Sequence, residues 1–318
     1  MVTDEKQQPL VSVVVLTFNS ARFVLDTLES VRRQTYRQVE LIISDDCSSD
    51  ATVSLVRAWV ENHKSRFVRT QIITVQANTG ISANANRGFR AAQGEWIKGI
   101  AGDDVLMDDC ISGYVDFCSS ICDKSPVFIV GGLVPFTDGT PPSLETPAAQ
   151  AIERAPDCYF FVGDLVLKDL CAASPTWFLK RSFWLEMEGF SEKYPFLEDE
   201  PFLFRALTGG VRINVLKRNT VFYRIHANSI CRSKKPEGLY KFAYSKYHSY
   251  RDLRRAYLPS NLRYEYDLMY LRFAFLVLTK GHAHVLADTL SKCVYLFLPS
   301  WWRYKIRGVI QKYMACAC

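Results

Sequence analysis

Short apolar runs of strand length alternate with amphipathic stretches through the first hundred residues. Between the first two runs, Val24, Leu28 and Val31 recur at spacings of four and three, which predicts one face of a helix that Ser20 can cap. A similar pattern follows the second run, where Asp50 or Ser49 can cap the helix. The repeated βα units with near-continuous apolar strands predict an α/β fold with a parallel, doubly wound sheet. Strands are predicted at 11–17, 39–44, 71–75 and 95–100, and a third helix over 82–92.

The regular alternation fades in the second half of the chain. A helix over 108–122 and a strand over 127–130 are predicted, and then a Pro- and Thr-rich loop over 137–148. Beyond residue 230 a polar, basic stretch leads into helical patterns. We therefore predict a mostly parallel sheet flanked by helices, with a helical C-terminal extension. The expected units are 1–110, 111–230 and 231–318.

Composition limits the classes of protein that fit this pattern. The 318 residues are 48% hydrophobic and 23% charged, so a substantial core is expected and global disorder is not. A net charge of +6 is mild for a nucleic-acid binder, and no nucleic-acid partner is expected. The polar N-terminus resembles no secretory signal, and the ten cysteines form no CxxC pair. Reduced thiols and a cytoplasmic location are therefore expected.

Polar clusters follow three of the predicted strands. In open parallel sheets, ligands bind at the carboxyl ends of strands, so these clusters are candidate site residues. Asp103 and Asp104 after the fourth strand offer hard oxygen ligands, which suit Mg²⁺ or Mn²⁺ on a diphosphate. A turn with a helix cap is the alternative for these acids, and it applies equally to Asp45 and Asp46. The clusters are Thr17-Phe18-Asn19, Asp45-Asp46 and Gly102-Asp103-Asp104.

Two further clusters lie in the second half of the chain. Glu198 and Asp199 precede Pro201, which suits the first turn of a helix. A carboxylate ionised there can accept a proton from a sugar hydroxyl, although plain capping explains the same pattern. In the segment YRIH, Arg224 can hold a phosphate and His226 can bind a metal, while a structural histidine is the alternative.

The order of these segments resembles the family 2 glycosyltransferases of the GT-A fold, which is Rossmann-like. The resemblance runs from about residue 11 to residue 229. It is carried by the order and spacing of the segments VSVVVLTFN, ELIISDDCSSDAT, NTGISANANRGFRAAQGEWIKGIAGDD, PTWFLKRSFWLEMEGFSEKYPFLEDEPFLFRAL and YRIH.

On the donor side, the resemblance implies roles in binding a nucleotide sugar, with UDP favoured over other nucleotides. Thr17, Phe18 and Asn19 would line the nucleotide, with the Phe18 ring near the base. Asp46 would hydrogen-bond the uracil edge, with Asp45 beside it.

Near the reaction centre, the resemblance implies a divalent metal, Mn²⁺ or Mg²⁺, and a general base. Asp103 would approach the ribose, Asp104 would bind the metal, and His226 would approach the metal or the diphosphate. Asp199 would be the base, with Glu198 as its neighbour or substitute.

Two positions depart from the family pattern. Ala101 stands where the metal motif usually has another acid, and Ala85 replaces the usual arginine of the helix before the fourth strand. Both changes affect inferences about the donor sugar. The metal acid and the base remain.

The expected reaction is an inverting transfer from the nucleotide sugar to a glycan or to a lipid-diphosphate-linked sugar. The resemblance implies a role in bacterial surface polysaccharide or O-antigen assembly. The tail YLFLPSWWRYKIRGVIQKY mixes Trp301, Trp302 and basic residues, as a lipid interface does, so peripheral contact with the inner face of the cytoplasmic membrane is expected. A helical cap packed on the catalytic domain is the alternative.

Two other classes of protein share parts of this pattern. A non-catalytic nucleotide- or carbohydrate-binding module would need no base, and a nucleotidyltransferase typically has a Gly-rich loop after the first strand. The segment TFNSARF has no glycine, which also argues against a Rossmann dehydrogenase.

Overall fold

One mixed sheet forms the centre of the molecule. The computed structural model describes residues 8–121, 126–159, 173–226, 236–258 and 260–289. In these residues the strands are β1 (Val11–Thr17), β2 (Val39–Asp45), β3 (Arg69–Thr74), β4 (Trp96–Ala101), β5 (Val105–Leu106), β6 (Phe128–Thr137), β7 (Cys158–Tyr159), β8 (Trp177–Lys180) and β9 (Ile213–Ile225).

The N-terminal half of the sheet is parallel, as the sequence predicts. Its order is β3-β2-β1-β4, and its register aligns Thr17 of β1 with Asp45 of β2. Next to β4 lies the antiparallel strand β8, followed by β6, β9 and β5, with β7 paired to β9. The second half therefore extends the same sheet with strands of both directions. β6 is longer than predicted, because it continues past Gly131 and Gly132 through two register shifts against β9.

Helices cover both faces of the sheet. They are α1 (Val24–Arg32), α2 (Thr52–His63), α3 (Ile81–Ala91), α4 (Cys110–Ser120), α5 (Pro147–Gln150), α6 (Arg181–Glu186), α7 (Asp199–Thr208), α8 (Pro236–Ser249) and α9 (Ser260–Leu278). Val24, Leu28 and Val31 are fully buried, which confirms the predicted face of α1. Alternate residues of β1 enter two separate cores, with Val14 on one side of the sheet and Val13 and Val15 on the other.

Neither of the first two helices has the side-chain cap that the sequence predicts. The expected Ser20 side-chain cap is wrong, because a turn intervenes and α1 begins only at Val24. The carbonyl of Ser20 instead accepts bonds from the N–H groups of Phe23 and Val24. The predicted cap of α2 is also wrong, because Ala51 takes the N-cap position and no side chain caps the helix. Asp50 lies one residue earlier, and its Oδ1 accepts the N–H of Thr52 at 2.9 Å.

The helical extension packs on the start of α7. A π-helical turn, Tyr250–Arg254, and a short helix, Arg255–Tyr257, join α8 to α9. None of the helices in the described ranges combines the length and the apolar character needed to cross a bilayer. The predicted lipid-facing tail with Trp301 and Trp302 lies outside the described residues.

Candidate active site at the carboxyl edge of the sheet

Backbone hydrogen bonds join the ends of β1, β2 and β4. The N–H of Asp46 donates to the carbonyl of Thr17 at 3.0 Å, and the N–H of Gly102 donates to that of Leu16 at 2.8 Å. A Cβ on Gly102 would lie 2.9 Å from the Thr17 Cγ2 atom, so only glycine allows this close approach. The three polar clusters predicted at strand ends therefore lie side by side.

Asp45 is held by side chains of its own cluster. The hydroxyls of Thr17 and Ser48 donate to its Oδ2 at 2.8 and 2.6 Å, and the N–H of Ser48 donates to its Oδ1 at 2.8 Å. Asn19 has a φ of 50°, and its Oδ1 accepts the N–H of Ser49 at 2.8 Å. The Phe18 ring is 48% exposed, so it faces solvent beside this ordered turn.

Asp46 anchors the loop that leads into α3. Its carboxylate accepts the N–H groups of Thr79 and Gly80 at 3.0 and 2.8 Å and pairs with the Arg87 guanidinium at 2.6 Å. Arg87 was not singled out from the sequence, although it lies two residues after Ala85, where the family pattern has its arginine. Arg87 thus supplies an arginine side chain at this site, two positions after the one that carries it in the family pattern. The predicted contact of Asp46 with uracil stays a prediction.

His226 and Asp103 meet at the end of β9. The imidazole Nε2 lies 2.9 Å from the Asp103 Oδ2, and the Asp103 side chain is 30% exposed. The imidazole also lies against the Phe23 ring, with 4.7 Å between the ring centroids. The two predicted site residues therefore lie together, with the Asp103 carboxylate partly exposed and the His226 imidazole mostly buried.

Asp104 lies beneath this pair and is buried. Its Oδ1 accepts the N–H of Arg224 at 2.9 Å, and its Oδ2 is buried without a hydrogen-bond partner in the described part of the chain. Burial, together with the neighbouring Asp103, raises the pKa of Asp104 well above its usual value. In the described ranges, no three His, Cys, Asp or Glu side chains form a group that could hold a metal by themselves.

The Arg224 guanidinium is bound by acids and aromatic rings of the protein itself. Its guanidinium pairs with Asp26 at 2.8 Å and with Asp138 at 3.2 Å, and it lies over the rings of Phe23 and Phe136. Its Nε donates to the carbonyl of Asp103 at 2.8 Å. These contacts fix the segment YRIH against the acids after β4 and thereby position His226.

Glu198 and Asp199 occupy the start of α7, as predicted. The Ser174 hydroxyl donates to Glu198 at 2.9 Å, and the Glu200 N–H donates to Asp199 at 2.7 Å. Burial, reinforced by Asp199, raises the pKa of Glu198 to about 7. Burial also raises the pKa of Asp199, against the opposing effect of Lys246. Both carboxyls therefore hold a proton more tightly than an exposed acid does.

Two sets of contacts bring this acidic turn toward the strand ends. Ser174 begins the turn before β8, and the neighbouring carbonyl of Pro175 accepts a hydrogen bond from the buried Lys98 of β4. On the other side, the N–H of Ile81 donates to the carbonyl of Pro195 at 3.0 Å, and Gly80 (φ 92°) packs against the same proline. No sequence pattern marked Lys98 or Ser174, because their roles arise only from strand pairing.

The N-terminal half of the chain matches a known family. Residues 12–140 match the family model described as Glycosyl transferase family 2. The chain is 27% identical over 236 residues to the uncharacterized glycosyltransferase EpsJ of Bacillus subtilis, covering 70% of this chain and 63% of EpsJ. It is 36% identical over 101 residues to the succinoglycan biosynthesis protein ExoO of Rhizobium meliloti, covering 32% of this chain and 27% of ExoO. The chain thus spans less than two thirds of the length of these curated relatives.

Solved structures share the whole fold. S. aureus TarS 1-349 in complex with UDP-GlcNAc superposes with a TM-score of 0.57 at 16% identity, over 90% of this chain and 89% of that chain. The mannosyltransferase PcManGT of Pyrobaculum calidifontis, in complex with GDP-Man and Mn²⁺, gives a TM-score of 0.56 at 15% identity, over 97% of this chain and 81% of that chain. The predicted fold class is therefore confirmed. The chain has the GT-A fold, and its residues 12–140 match the model of glycosyl transferase family 2.

Proposed function

We propose that the chain is an inverting, metal-dependent glycosyltransferase that moves a sugar from a nucleotide sugar to a glycan or lipid-linked sugar. One observation carries the proposal. Glu198 and Asp199 are adjacent carboxyls with raised pKa values, and Glu198 accepts a bond from Ser174 in the turn before β8. β8 pairs with β4, the strand that leads into Asp103 and Asp104. A base and a diphosphate-binding edge on one cleft are what sugar transfer requires.

The nucleotide would bind over the ends of β1 and β2. Phe18 offers an exposed ring for the base, and Asn19 and Asp45 hold the turn beside it. Asp46 is engaged within the protein and would orient the partly exposed Arg87 guanidinium at the base edge. A UDP-linked donor is supported by TarS, which was solved with UDP-GlcNAc.

The residues after β4 fit a divalent cation. The buried Oδ2 of Asp104 is without a hydrogen-bond partner in the described ranges, and Asp103 and His226 present an oxygen and a nitrogen donor above it. Asp104 and His226 remain the expected ligands, and Asp103 would orient the imidazole through its contact with Nε2. Mg²⁺ and Mn²⁺ bind a few protein ligands together with substrate phosphates, so a complete protein cage is not needed. A cation bound there would neutralise the charge that grows on the departing diphosphate.

Asp199 would be the general base. The Glu200 N–H donates to its carboxylate and orients it at the start of α7. Glu198 lies beside it, and the two carboxyls affect each other's ionisation. The carboxylate would take the proton of an acceptor hydroxyl as that oxygen bonds to the anomeric carbon. The bond from that carbon to the diphosphate breaks on the opposite face, and its electron pair leaves with the nucleoside diphosphate. A single displacement of this kind inverts the anomeric configuration.

A donor screen tests the proposed activity. Purified full-length chain would be incubated with UDP-, GDP- and dTDP-sugars and Mn²⁺, and nucleotide release would be followed with and without a synthetic lipid-diphosphate sugar. We expect release from a UDP-sugar that EDTA abolishes, and a product of inverted configuration by NMR. Absence of release from every donor, or release unaffected by EDTA, would contradict the proposal.

The acceptor is proposed to belong to surface polysaccharide assembly. Support comes from ExoO, a succinoglycan biosynthesis protein. Within the described extension, Arg251, Arg254 and Arg255 pair with acids of the protein, which favours a packed helical cap for that region. Membrane contact is therefore assigned to the aromatic and basic tail at 290–318. Flotation with anionic liposomes tests this assignment, and a W301A/W302A variant that floats as well as the parent would count against it.

A further inference from the structure

A buried ion-pair cluster joins the helical extension to the acidic turn of α7. Oε2 of Glu200 accepts a bond from Lys246 Nζ at 3.0 Å, and Oε1 accepts one from Arg254 Nη1 at 3.2 Å. The side chains are 9%, 17% and 14% exposed, respectively. We refer to Glu200, Lys246 and Arg254 as the Glu200 brace.

Additional bonds tie the same helices to the loop before α7. The N–H of Phe196 donates to the hydroxyl of Ser245 at 3.3 Å. Asp252 pairs with Lys193 at 2.7 Å and accepts the Tyr194 hydroxyl at 3.2 Å. The extension therefore holds the acidic turn from several directions.

The charges around the turn are unequal. Glu198, Asp199 and Glu200 place three carboxyls in adjacent positions, and Lys246 and Arg254 supply two cations. Although burial acts to raise it, these two cations hold the pKa of Glu200 below its usual value. Lys246 also lowers the pKa values of Asp199 and Glu198, against their burial. The three carboxyls outnumber the two cations, so Glu198 and Asp199 hold a proton more tightly than exposed acids do.

We propose that the Glu200 brace makes the helical extension part of the catalytic machinery, with Lys246 as a positioning residue that keeps Asp199 ionised. The proposal rests on the proposed function, because it assigns Asp199 the role of base. The extension would then be required for transfer whether or not it contacts a membrane. If Glu200 only capped α7, it would not need to pair with Lys246 and Arg254, whose side chains are largely buried.

Charge variants of the full-length chain test the brace without relying on activity. Carboxyl ¹³C titration by NMR would follow Asp199 and Glu198 in the parent, K246M, K246R and E200Q. We expect K246M to raise their midpoints by roughly 1 pH unit, since a nearby cation favours the charged form. E200Q should lower them, because it removes a neighbouring anion, and K246R should keep the parent values. Unchanged midpoints in both K246M and E200Q would overturn the proposal.

The pH dependence of kcat/KM gives the second readout. In K246M the acid limb of the kcat/KM profile should move to higher pH. Activity lost near pH 6 should then return at alkaline pH. K246R should keep the parent profile. A K64M variant is the matched control, because Lys64 pairs with Glu61 on the surface of the remote helix α2. An equal loss of activity at every pH would indicate a purely structural role and refute the brace. An inactive parent with shifted NMR midpoints would refute the proposed function alone.

Discussion

The imidazole Nε2 of His226 lies 2.9 Å from the Asp103 Oδ2, although 123 positions separate the two residues in the chain. The contact joins the end of β9 to the turn after β4, next to the buried Asp104. Arg224 fixes this approach, because its backbone N–H and its guanidinium both bond to the acidic turn. The contact thus joins the second half of the chain to the segment 12–140 that matches the family 2 model.

Replacing His226 with glutamine should weaken metal dependence. Loss of the nitrogen donor is expected to raise the Mn²⁺ concentration for half-maximal donor hydrolysis roughly 10- to 100-fold, as loss of a group that supports a metal site commonly does. His63→Gln is the matched control, because this imidazole stacks on Trp59 in α2. Manganese titrations of nucleotide release would measure the effect. An unchanged half-saturation in His226→Gln would remove His226 from the metal site.

Asp199→Asn should abolish most of the transfer while donor binding is kept. The amide cannot accept the proton of the acceptor hydroxyl, so kcat should fall by roughly 10²- to 10⁴-fold. UDP affinity, measured by calorimetry, should stay within about twofold, because the proposed role of Asp199 is to act on the acceptor and not on the nucleotide. Asp157→Asn removes an exposed ion pair with Lys217 and is the control. Near-normal turnover in Asp199→Asn would exclude it as the base.

Glu198 should make the protein less stable as the pH rises toward neutrality. Its folded pKa of about 7 lies above the ordinary value of 4.5, so the folded state binds the proton more tightly. The free energy of unfolding contributed by this group is therefore largest below pH 4.5 and falls as the pH rises to about 7. Glu198→Gln should remove that slope. Thermal unfolding of both proteins between pH 5 and 8 would test this, and parallel curves would argue against a buried, titrating Glu198.

Gly102→Ala should disturb the meeting point of β1 and β4. The added Cβ would lie 2.9 Å from the Thr17 Cγ2 atom and 3.2 Å from the carbonyl oxygen of Leu16, and the backbone atom can shift little. We expect a loss of about 1–3 kcal/mol in the free energy of unfolding, with weaker UDP binding. Gly209→Ala is the control, because its nearest neighbour lies at 3.3 Å and its φ of −77° suits alanine. Equal denaturation midpoints for both variants would contradict this account of Gly102.

The positions of the ten candidate residues relative to one another follow partly from sequence rules. Parallel strands place their carboxyl ends at one edge, so the clusters after β1, β2 and β4 could be expected to meet. The pairing of Asp103 with His226 could not be derived from local pattern, because it depends on β9 running parallel to β6 and beyond the short β5. Arg87 was overlooked because an arginine in an amphipathic helix normally faces solvent.

The sequence by itself determined the local elements and the kinds of chemistry available. Apolar runs specify buried strands, and short acidic segments after them specify oxygen ligands, because both depend on neighbouring residues along the chain. Only the tertiary structure decided which acids are accessible and which are already bound by other groups of the protein. Asp45 and Asp46 are engaged by donors of the protein, and Glu200 is neutralised by Lys246 and Arg254. Burial and long-range charge set these differences, and both arise from residues brought together by folding.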